Sequence, residues 1–336
     1  MTGPYSMRKA SLMLIATWGF AAWVPAVRAE PVVLSLVHAA ATTHPAHLAA
    51  LQFARRVEER TQGQVRTEIF PASQLGSENE LLQKVRLGAV DMDVSSMNYL
   101  IKYEKTFSVV VMPYLFDSYA HAHRVLDGPA MKWLAPLAEK QGFIILSNWE
   151  WGFRHLTNNK RPINGPDDVR GLKVRVPPVA ELEATMESLG AQVSKVGFKE
   201  LHQALSQGVV DGQENPLNVI YYNKLYEVQK HLALTRHVYY HTLHLMSAQS
   251  WAKLTPAEQL IVREESKAAG DGMRRKIIAE EEDLIAKMTA AGVKVTRPDP
   301  APFRAATQRA REEIRRFAGD ENVRTFLKMV DAERSP

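Results

Sequence analysis

The stretch VRTEIFPASQLGSENELLQKVRLGAVDMDV (Val65–Val94) holds one complete strand–helix–strand unit, and its reading decides the fold class. Val65, Thr67 and Ile69 alternate with polar residues, the period of a half-buried strand, and Pro71 stops the run. Ser77 and Glu80 stand at the spacing of a capping box, which opens a helix through Leu87. Gly88 closes that helix, and Val90, Met92 and Val94 alternate as the next strand. A strand, a crossover helix and a second strand in this order imply a parallel sheet with right-handed connections, so the chain belongs to the α/β class.

The pattern extends in both directions. Val32 to Val37 is a short apolar run with β-branched residues, the mark of a buried strand. His47 to Gln62 carries Leu48, Leu51, Ala54 and Val57 at helical spacing, with Gly63 placed to end the helix. Towards the C-terminus the unit is echoed: Leu82–Asp91 reads LQKVRLGAVD and His202–Asp211 reads HQALSQGVVD. Each is a helix ending in Gly before a strand, which suggests two lobes built on related plans. Asn158 to Pro178 is rich in Asn, Pro and Gly and surrounds the alternating strand Leu172–Val176, so the crossing into the second lobe is placed near Arg154. Thr255, Pro256 and Glu258 form a helix start. The pattern then runs without proline to about Ala291, about 50 Å at 1.5 Å per residue. That length predicts a helix crossing both lobes, bending near Gly270 and Gly272. Asp320 to Ala332 reads as a final docking helix.

The first thirty residues read as an address. Arg8 and Lys9 precede the apolar Leu12–Val24, Pro25 breaks any helix, and Val27-Arg28-Ala29 offers small residues for cleavage, the order of a secretory signal. Thirteen apolar residues fall short of the roughly 20 that span a bilayer. Of 336 residues, 42 are Lys or Arg and 37 Asp or Glu, a formal charge of +5. Removal of Arg8, Lys9 and Arg28 leaves 39 against 37, or +2. A near-neutral body has no field for nucleic acid. Zero cysteines exclude disulfides, thiolate metal sites and thiol catalysis, and a mean hydropathy of −0.23 excludes a polytopic membrane protein. Export without cysteines suits the bacterial periplasm.

Arg154 and Arg175 are the most informative candidates for chemistry. Arg154 follows Trp149-Glu150-Trp151-Gly152-Phe153. Arg175 lies mid-strand, and alternation puts Lys173 and Arg175 on one face, Leu172, Val174 and Val176 on the other. A buried guanidinium is costly without an anion, and its planar fork matches a carboxylate through two parallel hydrogen bonds that Lys cannot imitate. From the residues alone, a solvated strand face or an internal ion pair is the commoner fate of such an arginine. Asp211–Pro216 (DGQENP) reads as a polar turn at a strand end, where ligands of open α/β sheets collect. His237, His241 and His244 fall on a strand that divides them between two faces, so no metal site is expected. His44, His47, His121 and His123 read as surface residues without acidic partners. No nucleophile elbow, Walker loop, GxGxxG or paired-carboxylate site is present, so neither an enzyme nor a cofactor is indicated.

Together, several blocks resemble the solute receptors of tripartite ATP-independent periplasmic (TRAP) transporters, the DctP-like family. They are Phe70–Asp91, Met112–Phe116 (MPYLF), Gly152–Ile163 (GFRHLTNNKRPI), Gly171–Pro177 (GLKVRVP), Val209–Pro216 (VVDGQENP) and Tyr226–Lys230 (YEVQK), in order across nearly the whole mature chain. The resemblance implies a two-lobed periplasmic binding protein fold, with mixed sheets flanked by helices and a long helix spanning both lobes. The expected layout is a signal peptide over 1–29, one lobe from 30–152 plus about 241–270, and another from 153–240 plus about 271–336. The implied role is a monomeric periplasmic receptor, not an enzyme. It closes on a small organic acid, such as a C4-dicarboxylate, sugar acid or other hydroxy or keto acid, and delivers it to TRAP membrane subunits. It uses no metal or cofactor and binds no nucleic acid.

By the same resemblance Arg175 pairs with the ligand carboxylate, Arg154 faces the cleft, Asn215 contacts the carboxylate region and Phe198 packs on the ligand. His38 and Ser96 match cleft positions whose residue type varies with ligand. Relatives that bind sialic acid tend to carry Asn and Glu there, so this chain is not expected to take sialic acid. Trp151 and Glu150 are further specificity candidates. Two other readings fit the residues: a secreted enzyme with Arg175 as substrate clamp and His38 as base, and a two-lobed receptor serving a different uptake or sensing system.

Overall fold

A computed structural model describes residues 1–3 and 30–334. The proposed signal segment therefore lies almost wholly outside the described residues. Among the described residues ten strands form: β1 (Val32–His38), β2 (Val65–Phe70), β3 (Met92–Ser96), β4 (Phe143–Asn158), β5 (Lys173–Val176), β6 (Gln192–Lys195), β7 (Gly212–Pro216), β8 (His231–Ala233), β9 (Tyr239–Ser247) and β10 (Lys294–Thr296). The main path runs β2-β1-β3-β9-β4-β7-β5-β6, with β8 and β10 branching from β4. Pairing is parallel for β1–β2, β1–β3, β5–β6 and β5–β7, and antiparallel wherever β9 or β4 takes part. The sheet is thus mixed, and the family-type α/β architecture with flanking helices is present.

β4 joins the two halves. From Phe143 to Phe153 it pairs with β9; from Arg154 to Asn158 it pairs with β7 and, over its last residues, with β8. The register slips between Glu150 and Gly152, where Gly152 adopts φ +102° and a Cβ would lie 2.6 Å from the Tyr119 hydroxyl. β4 thus changes partner at Arg154.

The internal echo has a structural counterpart. The helices Glu78–Arg86 and Phe198–Ser206 each have nine residues, and Gly88 and Gly208 close them at φ +71° and +69°. The next amide bonds back in the same way, Ala89 N–H to the Lys84 carbonyl and Val209 N–H to that of Ala204, both at 2.9 Å. A left-handed position of this kind favours glycine because it has no Cβ.

The long helix runs unbroken over Pro256–Ala290, capped by Thr255 and Glu258. Gly270 serves close packing: a Cβ there would lie 2.6 Å from the Asn148 carbonyl and 2.7 Å from the Trp149 ring. This helix touches β4 and the first helix (Pro45–Arg60) in one half, and Leu217–Tyr222 and β10 in the other. The first helix buries Ala46, Ala49, Ala50, Phe53 and Val57, while Leu48 and Leu51 face solvent, against the expected stripe. Small alanines allow close packing around Phe53 and Val57, so the buried face is not the one that carries the leucines.

Two further expectations change. The closing helix Asp320–Ala332 docks on Tyr119–Asp127 and Pro129–Lys140, elements of the first half. His121 Nε2 lies 2.8 Å from the Val330 carbonyl there. The assignment of everything after 271 to the second lobe does not hold for this helix. Residues 212–216 are not a turn but the wholly buried strand β7. Their polar side chains satisfy one another and β4: Gln213 Nε2 donates to Thr157 Oγ1 at 2.9 Å, and Glu214 meets Arg154. Local polarity signals a turn only when such cross-strand partners are lacking.

Candidate functional site

β5 places its side chains by simple alternation. Val174 and Val176 enter the core, and Lys173, at the strand start, stays exposed. Arg175, on the Lys173 face, is covered to 2% exposure because β6 and β7 flank it at Ser194 and Gln213. Its Nε–H donates to the Val196 carbonyl at 2.8 Å, and its guanidinium carbon lies 5.9 Å from the Phe198 ring centre. No carboxylate among the described residues forms an ion pair with it. Burial lowers its pKa, with Tyr99 and Glu214 working in the opposite sense. A guanidinium remains protonated in proteins, so this is a buried positive charge without an acid beside it.

Arg175 opens into a cavity of about 680 Å³, part of it open to solvent, lined from both halves. Ser96, Trp151, Phe198 and Asn215 line the same space, so five of the eight candidate residues come together there. Phe198 stands first in the helix Phe198–Ser206, not in a loop before it.

The other three do not line this cavity. Arg154 is held by an internal acid: Nη2 donates to Glu214 Oε1 at 2.7 Å and to Asn215 Oδ1 at 3.2 Å, and Nε meets Glu214 Oε2. The Tyr240 ring centre is 4.1 Å from its guanidinium carbon, and His237 Nε2 lies 3.1 Å from Glu214 Oε2. Burial alone would raise the Glu214 pKa, but Arg154 and His237 outweigh it and hold the carboxyl below its usual range. Arg154 thus shapes the floor behind Asn215 rather than facing the cleft.

Glu150 is fully buried and held 2.7 Å from both His123 Nε2 and the Tyr239 hydroxyl. Trp151, the next residue, lines the cavity and Glu150 does not. His38 ends β1 with Nε2 3.1 Å from His47 Nδ1, and burial pushes its pKa down to about 3. The enzyme reading needs His38 as a base over the cleft, and its ring is directed at His47 instead.

Sequence reasoning missed His44, Glu78, Asp93, Tyr99 and Tyr240, which also line the cavity. His44 is the N-cap of the first helix, not a surface residue. Its Nδ1 accepts the Ala46 N–H at 3.0 Å, so its Nε2–H is the donor to Asn218 Oδ1 at 3.0 Å. Asn218 in turn donates to the Trp151 carbonyl at 2.6 Å, and the His44 and Trp151 rings lie 4.8 Å apart. This chain ties the two halves together beside the cavity, with burial keeping His44 neutral at a pKa of about 4. The Thr-His-Pro sequence before a helix is the cap signal that could have found it.

The remaining histidines take separate partners. His241 Nε2 meets Asn148 Oδ1 at 2.9 Å and His244 Nδ1 meets Ser266 Oγ at 2.8 Å. No cluster among the described residues could hold a metal ion, and none of the described helices is long and apolar enough to cross a membrane.

Comparison with known proteins adds an independent line. A family model described as "Bacterial extracellular solute-binding protein, family 7" matches residues 36–317. Uncharacterized protein y4mM of Sinorhizobium fredii is 37% identical over 87% of this chain, which spans only 54% of that protein's length. The C4-dicarboxylate-binding periplasmic protein DctP of Rhodobacter capsulatus is 35% identical, over 82% of this chain and 87% of that one. A TRAP periplasmic solute-binding protein of Polaromonas sp. JS666, solved bound to D-erythronate, superposes with a TM-score of 0.84 at 33% identity, covering 88% of this chain and 98% of that one.

Proposed function

The chain belongs to family 7 of the bacterial extracellular solute-binding proteins, and from that membership we propose that it is the receptor component of a TRAP-type transporter. In this reading it works in the periplasm, holds a small organic acid by its carboxylate and presents it to the membrane subunits. The carrying observation is Arg175: a buried guanidinium with no acid beside it, in a cavity lined by both halves. A carboxylate arriving there makes two charge-assisted hydrogen bonds and relieves the cost of the buried charge. Phe198 flanks the guanidinium, and Asn215, Trp151 and Ser96 complete the wall.

The same geometry supplies a signal for a partner. The halves are joined by β4, β9 and the long helix, and a ligand touching both favours the closed arrangement in proportion to its differential affinity. The membrane subunits then read loaded from empty receptor by the angle between the halves. A thermal-shift screen over organic acids tests the reading. A true ligand at 100 times its dissociation constant adds about 2.7 kcal/mol. An unchanged melting temperature across sugar acids, hydroxy and keto acids and dicarboxylates defeats the reading.

A further inference from the structure

Arg175 accounts for one carboxylate. The wall contributed by the first half is acidic. Asp93 stands in β3, between Val37 of β1 and Leu245 of β9, and is 2% exposed. It lines the cavity together with Ser95 and Glu78, and Arg175 is the one Lys or Arg among the lining residues. Asp93 Oδ2 is buried without a hydrogen-bond partner among the described residues. Burial, with Glu78 adding to it, pushes the Asp93 pKa well up.

Asp91, two residues earlier, shows what this fold does with a structural carboxylate. It accepts the Ser35 N–H and hydroxyl, both at 2.8 Å, and the Ser250 hydroxyl at 2.5 Å. Asp93 lines the cavity and has been taken from water just as thoroughly, yet its Oδ2 has no such partner.

We infer that Asp93 is a second ligand subsite that hydrogen-bonds a hydroxyl of the bound acid, so that the cargo is a hydroxylated monocarboxylate rather than a dicarboxylate. The inference rests on the reading of Arg175 as the carboxylate clamp. A hydroxyl both donates and accepts, so it satisfies Asp93 whether that side chain is ionised or protonated. A second carboxylate would meet Glu78 with the only lining cation already engaged. An alkyl chain would leave Oδ2 unpartnered, and sites built to hydrogen-bond a substrate hydroxyl discriminate strongly against analogues that lack it.

Calorimetry on the mature chain with two length-matched sets tests this: D-erythronate, succinate and butanoate, and D-gluconate, adipate and hexanoate. In at least one set the hydroxy acid is expected to bind a hundredfold or more tighter than its diacid and alkyl counterparts. Asp93→Leu should weaken that hydroxy acid at least tenfold and leave the alkyl acid unchanged or improved. Asp93→Asn keeps a hydrogen-bonding group, so the hydroxy acid should keep its lead over the alkyl acid. A diacid binding wild type as tightly as its matched hydroxy acid, or Asp93→Leu weakening all three acids of a set alike, overturns the Asp93 subsite while leaving the receptor reading intact. Failure of all six acids to bind, or binding indifferent to Arg175→Ala, overturns the carboxylate reading itself and the subsite with it.

Discussion

Arg154 and Glu214 form a buried ion pair between the adjacent antiparallel strands β4 and β7, with exposures of 1% and 0%. Sixty residues separate them in the chain. Their pairing separates two arginines that look alike in the sequence: one is held by the protein, the other faces the cavity.

The held arginine predicts a stability effect. Glu214→Gln leaves a guanidinium buried beside a neutral amide, and removing one partner of such a pair costs about 3–5 kcal/mol. Urea unfolding should show that loss, while the double replacement Arg154→Met with Glu214→Leu should recover most of it. A Glu214→Gln protein within about 1 kcal/mol of wild type would mean that the pair is not a structural unit.

The cavity arginine predicts the opposite balance. Arg175→Ala removes a buried charge with no acidic partner, so the unliganded protein should be as stable as wild type or more so. Ligand affinity should fall by roughly thirty-fold to several-thousand-fold, the equivalent of about 2–5 kcal/mol. Arg175→Lys should also lose at least about tenfold, because an ammonium cannot reproduce the planar fork. Calorimetry with wild-type affinity for Arg175→Lys would exclude the two-point geometry.

Acid should destabilise the fold through its buried histidines. Burial lowers His44 to about 4, and His38, His241 and His244 to about 3, from an ordinary 6.5. Folded values below the unfolded one mean that, between about 6.5 and 4, the unfolded chain binds more protons. Stability is therefore fully present above pH 6.5 and falls as pH drops towards the folded values, by about 1.4 kcal/mol per pH unit for each such group. Urea unfolding at pH 7, 6 and 5 should show this slope. His44→Asn keeps a capping acceptor and removes one titrating group, so it should flatten the curve by one histidine's share. A stability independent of pH across this window would contradict the assignment.

The two glycines of the long helix should respond with opposite sign. At Gly270 a Cβ meets the Asn148 carbonyl at 2.6 Å, whereas at Gly272 the nearest atom is the end of Arg275 at 4.0 Å. Gly270→Ala should destabilise by about 1–3 kcal/mol through overpacking. Gly272→Ala should stabilise by up to about 1 kcal/mol, the helix-propensity difference. Thermal melts of the two variants moving in the same direction would refute this account of the packing.

Much of the architecture was legible because it is local. Period-two and period-3.6 patterns, the Ser77–Glu80 and Thr255–Glu258 caps, and the glycines at 88 and 208 depend on residues within a few positions of one another. The errors came where distant partners changed the meaning of local polarity. Residues 212–216 look like a turn until β4 supplies Thr157 and Arg154 as partners. His44 and His123 look like surface residues until Asn218 and Glu150 are brought to them.

By itself, the amino-acid sequence determined the first strand–helix–strand unit, the long helix, the strand that carries Arg175 and the likeness to a receptor family. Tertiary structure alone decided that Arg154 is paired and Arg175 is not, that Trp151 shares the cavity while Glu150 does not, and that Asp93 lines it. Backbone preference is set by near neighbours, but whether a buried charge is satisfied depends on which strands lie side by side, a matter of long-range register that no local pattern encodes.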